Sequence, residues 1–237
     1  MTTVLALSLA AGAAGGAGCG ARQQHNKIQQ ESEALRIDLA ELYVTKGVSQ
    51  AAVPLLQKIL ADNPRDVRAR VLYGEVERDL GLYPQATREL HIALKLAPRE
   101  PRVHAAIAIL LDLERRHAEA LRFHRRSVAL APGNAAYHNN TGFSLYLAGD
   151  TDAAIVELER ALAMDPGLTI AYNNLGFAYG RKGQLDRAER AFRAGLGEAS
   201  TLLNLAMIEE ERGEAAKAAD LRARAYAIDP DLRPVEE

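Results

Sequence analysis

Tryptophan is absent from this chain of 237 residues, aromatic residues make up only 5% of it, and there is one cysteine, Cys19. A single thiol can form neither an internal disulfide nor a cysteine-based metal cluster. Charge of one sign is lacking too. The 29 basic and 31 acidic side chains leave a formal net charge of −2, so nothing is available to neutralise a phosphate backbone and a nucleic-acid partner is disfavoured. No phosphate-cradling glycine loop, nucleophile elbow or histidine pair at i, i+4 occurs, and no constellation points to catalysis, a cofactor or a metal. What is present is a 48% apolar share, enough for a core. Ala, Leu, Arg and Glu are abundant and β-branched residues few, a composition that leans towards helix throughout.

Self-similarity organises most of the chain. Pro64, Pro98, Pro132 and Pro166 are equally spaced, and each closes a phrase such as Leu-Ala-Met-Asp-Pro. Pro230 closes another such phrase, but it falls four positions short of two further periods. One unit is therefore truncated. Within residues 169–198, Tyr172, Leu175, Gly176 and Tyr179 fall on one helical face, Gly183 supplies a left-handed stop, and Ala188, Phe192 and Leu196 line a second helix. Gly176 and Ala188 are small where two antiparallel helices must approach, which makes the pair a helical hairpin.

These positions resemble the tetratricopeptide repeat. Glycine ends the first helix at Gly47, Gly81, Gly149, Gly183 and Gly213, and alanine stands at the crossing at Ala52, Ala86, Ala120, Ala154, Ala188 and Ala218. Six units follow: 33–66, 67–100, 101–134, 135–168, 169–198 and 199–232, with 233–237 as a tail. The resemblance implies an all-α, right-handed solenoid of about six helix-turn-helix repeats, because no hairpin buries its apolar face alone and stacking makes one continuous core. The third unit departs most. Arg115 replaces the turn glycine and Ser127 a small apolar residue, so a looser hairpin is expected there. Pro54 and Pro84 fall near the start of second helices, where a missing donor costs least. The short fifth unit should tighten the step to the sixth at Gly195–Ser200.

By the same resemblance, the second, fifth, sixth, ninth, twelfth and thirteenth places of each unit face a concave groove. The expected peptide-binding strip comprises Asn139, Asn140, Phe143 and Tyr146 of the fourth unit, Asn173, Asn174 and Phe177 of the fifth, Asn204 and Met207 of the sixth, and Ile109 of the third. A carboxamide presents donor and acceptor side by side and can bond both backbone groups of an extended peptide. Asparagine at the sixth place can equally bond the neighbouring helix, and both readings stay open. Asp38, Glu41, Glu75 and Asp79 make the first two units' groove acidic, with Arg68 and Arg78 interspersed; it is read as a solvated face or a second contact surface for a basic partner. Arg115, Arg116, Arg122, Arg125 and Arg126 belong to the convex side. His104 and His138 hold equivalent places one unit apart, a slot given to Tyr172 in the fifth unit. His117 and His124 are assigned to the turn and exterior of the third.

Residues 1–19 carry no charge and run from an apolar stretch, Val4 to Leu9, through Ala and Gly to Cys19. Such a segment reads as a secretory signal. Small residues before a cysteine resemble the lipobox of bacterial lipoproteins, in which the thiol is acylated and becomes the mature N-terminus. Gly16 departs from the usual Leu, and no Lys or Arg precedes the apolar run. The other reading is an Ala/Gly leader with an incidental Cys. Residues 20–32 are polar and read as a tether, and Gly20 after the cysteine implies the outer membrane by the family's sorting rule.

The leader, Tyr-His-Asn-Asn-Thr-Gly-Phe (137–143), Tyr-Asn-Asn-Leu-Gly-Phe (172–177) and the short join 195–205 together resemble the Flp/Tad pilus-assembly lipoproteins, with the secretin pilotins of type IV pili as second choice. That implies a protein partner, a lipid-held place on the outer membrane facing the periplasm, and help in assembling a secretin. The alternatives are an adaptor presenting substrates to an envelope enzyme and a cytoplasmic co-chaperone. The second fits poorly, since a carboxylate-gripping groove needs Lys and Arg where units four and five offer mainly Asn, Phe and Arg181.

Overall fold

The computed structural model describes residues 34–234, which form helices throughout. The first helix, α1, covers 34–45, and a 3₁₀ turn at Ser49–Ala52 leads into α2 (Val53–Asp62). The helices continue as α3 (Val67–Asp79), α4 (Tyr83–Leu96), α5 (Pro101–Leu113), α6 (His117–Leu130), α7 (Ala135–Leu147), α8 (Thr151–Met164), α9 (Thr169–Arg181), α10 (Leu185–Gly195), α11 (Glu198–Glu211) and α12 (Ala215–Ile228). Each odd helix from α3 pairs with the even one after it. Each even helix from α2 to α10 packs on the next odd one, and α3, α5, α7, α9 and α11 touch in series. This is a solenoid with the odd helices along one face. Cys19 and the leader lie outside the described residues.

The hairpin crossings are closed by absence of side chain. Ala52, Ala86, Ala120, Ala154, Ala188 and Ala218 are all fully buried. At Gly176 a Cβ would sit 2.3 Å from Cε1 of Phe192, itself fully buried. Phe192 takes the volume that a side chain at residue 176 would need.

The turns follow one backbone rule. Gly47, Gly81, Gly149, Gly183 and Gly213 have φ between 71° and 89°, and Arg115 adopts the same left-handed conformation at 62°. The expected looseness of the third hairpin is corrected: α5 packs on α6 as closely as the other pairs pack. Arg115 bears the conformational cost instead, about 1 kcal/mol for a residue with a Cβ. Replacing Arg115 by Gly is expected to stabilise the chain by about 0.5 kcal/mol at most in urea denaturation, because glycine's greater freedom when unfolded offsets about half or more of the relieved strain. Ser127 is fully buried and its Oγ donates to the His124 carbonyl at 2.8 Å.

In the fifth unit, α10 is 11 residues long, against 14 for α4, α6, α8 and α12. Leu196 is extended and Gly197 caps α11. The close approach is made at Gly195, where a Cβ would lie 2.6 Å from Cβ of Tyr172 and 2.9 Å from the Thr169 carbonyl oxygen.

A second device with the period of the repeat joins the units. Arg70 Nε donates to the Pro64 carbonyl at 2.8 Å, His104 Nε2 to that of Pro98 at 2.9 Å, and His138 Nε2 to that of Pro132 at 3.0 Å. Each donor occupies the fourth place of its unit and ties a first helix to the turn before it. His138 also meets Glu157 through Nδ1 at 2.7 Å, whereas His104 lies near the Phe123 ring, 5.9 Å between centroids. Among the described residues no group of three His, Cys, Asp or Glu is placed to hold a metal ion.

Candidate functional site

The concave face divides into two halves. In the first three units, Arg102 Nη1 lies 2.5 Å from Glu41 Oε1 and Nη2 lies 2.9 Å from Glu75 Oε2. Arg68 Nη2 is 2.7 Å from Asp38 and 2.6 Å from Glu41, and Arg78 is 2.7 Å from Asp79. The Arg68 hydrogen bond, against the cost of burial and with help from Arg102, holds the Glu41 carboxyl below the usual carboxylate range. Burial opposes the Arg102 charge, but its bonds to Glu75 and Glu41 outweigh that and push the guanidinium further up. Of the carboxylates that read as an acidic groove, Asp38, Glu41 and Glu75 are thus spent on bracing three successive first helices, and Asp79 pairs with its own neighbour Arg78. Arg102, the second-place residue of the third unit, is the partner that sequence reasoning missed.

In the last three units asparagine takes over that bracing. Asn174 Nδ2 donates to Asn139 Oδ1 at 2.9 Å, and Asn204 Nδ2 to Asn173 Oδ1 at 2.7 Å. A sixth-place amide therefore reaches the fifth-place carbonyl of the preceding unit. Asn139 also donates to Asn140 Oδ1 at 3.2 Å and is itself buried. Asn139, expected in the groove, is thus withdrawn from it by its two neighbours, whereas Asn140, Asn173, Asn174 and Asn204 are half-buried and retain spare donor and acceptor capacity.

The expected apolar lining separates into exposed and inward-turned members. Phe143 is 41% exposed and Met207 50%, and Ile109 is half-buried. Phe177 is half-buried and meets Phe192 edge-on, with centroids 5.1 Å apart, so it serves the core more than the groove. Tyr146 stacks on Phe143, 6.5 Å between centroids, and is covered by the Arg181 guanidinium 3.4 Å from its ring centroid. Arg181 also donates to the Tyr146 carbonyl.

A depression of about 300 Å³ opens between α5 and α7, lined by Ile109, Asp112, Leu113, His124, Asn140, Phe143 and Leu147. Leu113 and Leu147, 51% and 38% exposed, complete its apolar wall. Both are thirteenth-place residues, and that shared place was the available signal. A second depression of about 350 Å³ between α9 and α11 is lined by Thr169, Ile170, Asn173, Leu196, Ser200 and Asn204.

Beneath the first depression, a polar knot joins three helices. Asp112 of α5 has Oδ1 2.9 Å from His117 Nδ1 and accepts from Ser144 Oγ of α7 at 2.9 Å, while Oδ2 lies 2.9 Å from His124 Nε2 of α6. The exterior assignment of His124 is corrected: it is 1% exposed. It stands in the column of Leu56, Leu90, Leu158 and Phe192, all core residues, which is why it points inward. Burial works to raise the Asp112 carboxyl, but its bonds to His124, His117 and Ser144 prevail and hold it below the ordinary value. The knot keeps α5 and α7 at the spacing that forms the depression.

Comparison with known proteins agrees with this architecture. Tetratricopeptide-repeat family models match residues 49–110, 142–183 and 170–201, together just over half the chain. No curated protein matches the sequence. Among solved structures, PilW, described as a widely conserved type IV pilus biogenesis factor, is 22% identical with a TM-score of 0.72, covering 84% of this chain and 94% of its own. PilF of Pseudomonas aeruginosa is 19% identical with a TM-score of 0.67, covering 85% and 93%. YrrB, described as having an unusual peptide-binding site, is 19% identical with a TM-score of 0.55, covering 75% and 93%. With these matches on a chain whose helical hairpins stack as described, the chain belongs to the tetratricopeptide-repeat family and folds as its α-solenoid.

Proposed function

We propose that this protein is a non-enzymatic scaffold that grips a segment of a protein partner in its concave groove. The reading extends to a lipid-held protein of the bacterial outer membrane that assists assembly or localisation of a pilus or secretion secretin. The observation that carries it is the apolar depression between α5 and α7, where Leu113, Phe143 and Leu147 remain exposed on a brace of ion pairs and asparagines. A braced groove costs little ordering when it binds, and exposed aromatic and Leu side chains supply the contact energy. The bonded asparagines support a bracing role first, with their spare amide groups meeting the peptide backbone.

The pilus reading is supported by the sequence resemblance above and by the solenoid that PilW and PilF share with this chain. No helix among the described residues is long and apolar enough to cross a membrane. Attachment is assigned to acylated Cys19, since about 0.8 kcal/mol per buried methylene lets two or more acyl chains hold a protein on a bilayer. Tethering also raises the effective concentration of the groove for its partner.

The test is affinity recovery from detergent-solubilised envelopes. Phe143→Asp with Leu147→Asp, both surface positions that leave the core intact, is expected to lower secretin recovery at least tenfold, consistent with loss of a hot-spot contact. Unchanged recovery removes the groove from the account. In the same preparation Cys19→Ser should cease to float with membranes.

A further inference from the structure

We propose that the outer face of α1 is the seat of an amphipathic helix supplied by another protein. The inference concerns a different surface from the groove and does not depend on it. In every later unit the third, seventh and tenth places are covered, none of them exposed. In the third unit they are Val103, Ile107 and Leu110, at most 4% exposed and packed with Leu90 and Ala93 of the second helix before them. In the first unit the same places are Leu35, Leu39 and Leu42, which are 68%, 40% and 49% exposed. Leucines thus stand in the column that the fold elsewhere places under a helix.

The far end of the solenoid is finished differently. The column of Leu56, Leu90, Leu158 and Phe192 ends in Arg222, which pairs with Glu210 across α11 and α12. Repeat arrays need polar outer faces at their ends. Only the α12 end is closed by charge in this way, so the two ends do not complement each other for head-to-tail stacking.

The chain itself narrows the occupant. The register would place Gly18, Arg22 and His25 where Ala52, Leu56 and Ile59 stand, so the residues just upstream offer no apolar stripe. The exposed strip amounts to on the order of 300 Å², short of the roughly 800 Å² per partner of a stable dimer and suited to a single helix. Lys46 and Arg36 flank the stripe and are exposed, Arg36 standing 4.0 Å from Asp62, while Asp38 and Glu41 turn to Arg68. The helix that fits is apolar at i, i+3 or i+4, and i+7, with acidic flanks.

The sequence of α8, Thr151–Met164, has that character. Its Leu158 and Leu162 already pack in one cluster with Leu175 of α9. A fluorescent peptide of that sequence, titrated into the full chain bearing Cys19→Ser, is expected to bind saturably and one to one. Leu39→Asp with Leu42→Asp should weaken it at least tenfold while leaving the thermal unfolding curve in place, and the groove variant Phe143→Asp should not affect it. No saturable binding, or binding indifferent to the α1 changes, overturns the proposal. So does a dimer in sedimentation that Leu39→Asp dissociates, which makes a second copy the occupant. Tighter peptide binding after removal of residues 1–19 assigns the seat to the chain's own leader and overturns it as well.

Discussion

Phe192→Ala is expected to cost about 4 kcal/mol in chemical denaturation, the largest single-site loss in the fifth unit. The side chain is fully buried, lies edge-on to Phe177 at 5.1 Å, and fills the space left by Gly176. The sharper test is a change of sign at Gly176. Gly176→Ala alone should destabilise, because its Cβ would sit 2.3 Å from the Phe192 ring. In the Phe192→Ala background the added Cβ no longer meets that ring, fills part of the void and gains about 1 kcal/mol of helix propensity, so it should stabilise. A double-mutant cycle with Gly176→Ala unfavourable in both backgrounds contradicts the account of the crossing.

Asp112→Ala should lose about 3 kcal/mol, the second-largest effect. It strips the partner from His124 and Ser144 inside the protein, and a buried polar group left unpaired costs far more than a bonded one contributes. The companion variant separates a polar knot from mere packing. Asp112→Val with His124→Leu and Ser144→Ala replaces the three most buried members of the cluster by the apolar residues that stand at the same places in other units, Val44, Leu90 and Ala178, and should recover most of the loss. The pH dependence has a definite sign. A carboxyl held below its ordinary value contributes stability that is complete above about pH 4 and is lost as pH falls through the lowered value. The gap between wild type and Asp112→Ala should therefore narrow below about pH 4.

The architecture was legible because its causes are local and periodic. Proline at the close of successive units, glycine at the turns and alanine at the crossings each report a steric requirement that the adjacent residues satisfy. His124 was placed on the exterior for an identifiable reason. A spacing of seven between His117 and His124 says that they share a helical face, but not which way it points. The column shared with Leu56 and Leu90 carried that information. Arg102 was harder, since its role depends on Glu41, which lies 61 residues away and is brought near only by stacking. Phe177 occupies a groove place by register, yet its ring meets Phe192 because Gly176 beside it lets that ring come close.

The fourth-place clasp on the preceding proline carbonyl has an evolutionary consequence. Arg70, His104 and His138 all reach back six residues to the same kind of acceptor. Excision of residues 67–100 would leave His104 six positions after Pro64, with the joint's spacing intact. Recombination between neighbouring segments of the gene can thus shorten or lengthen the rod in whole steps without inventing a new joint.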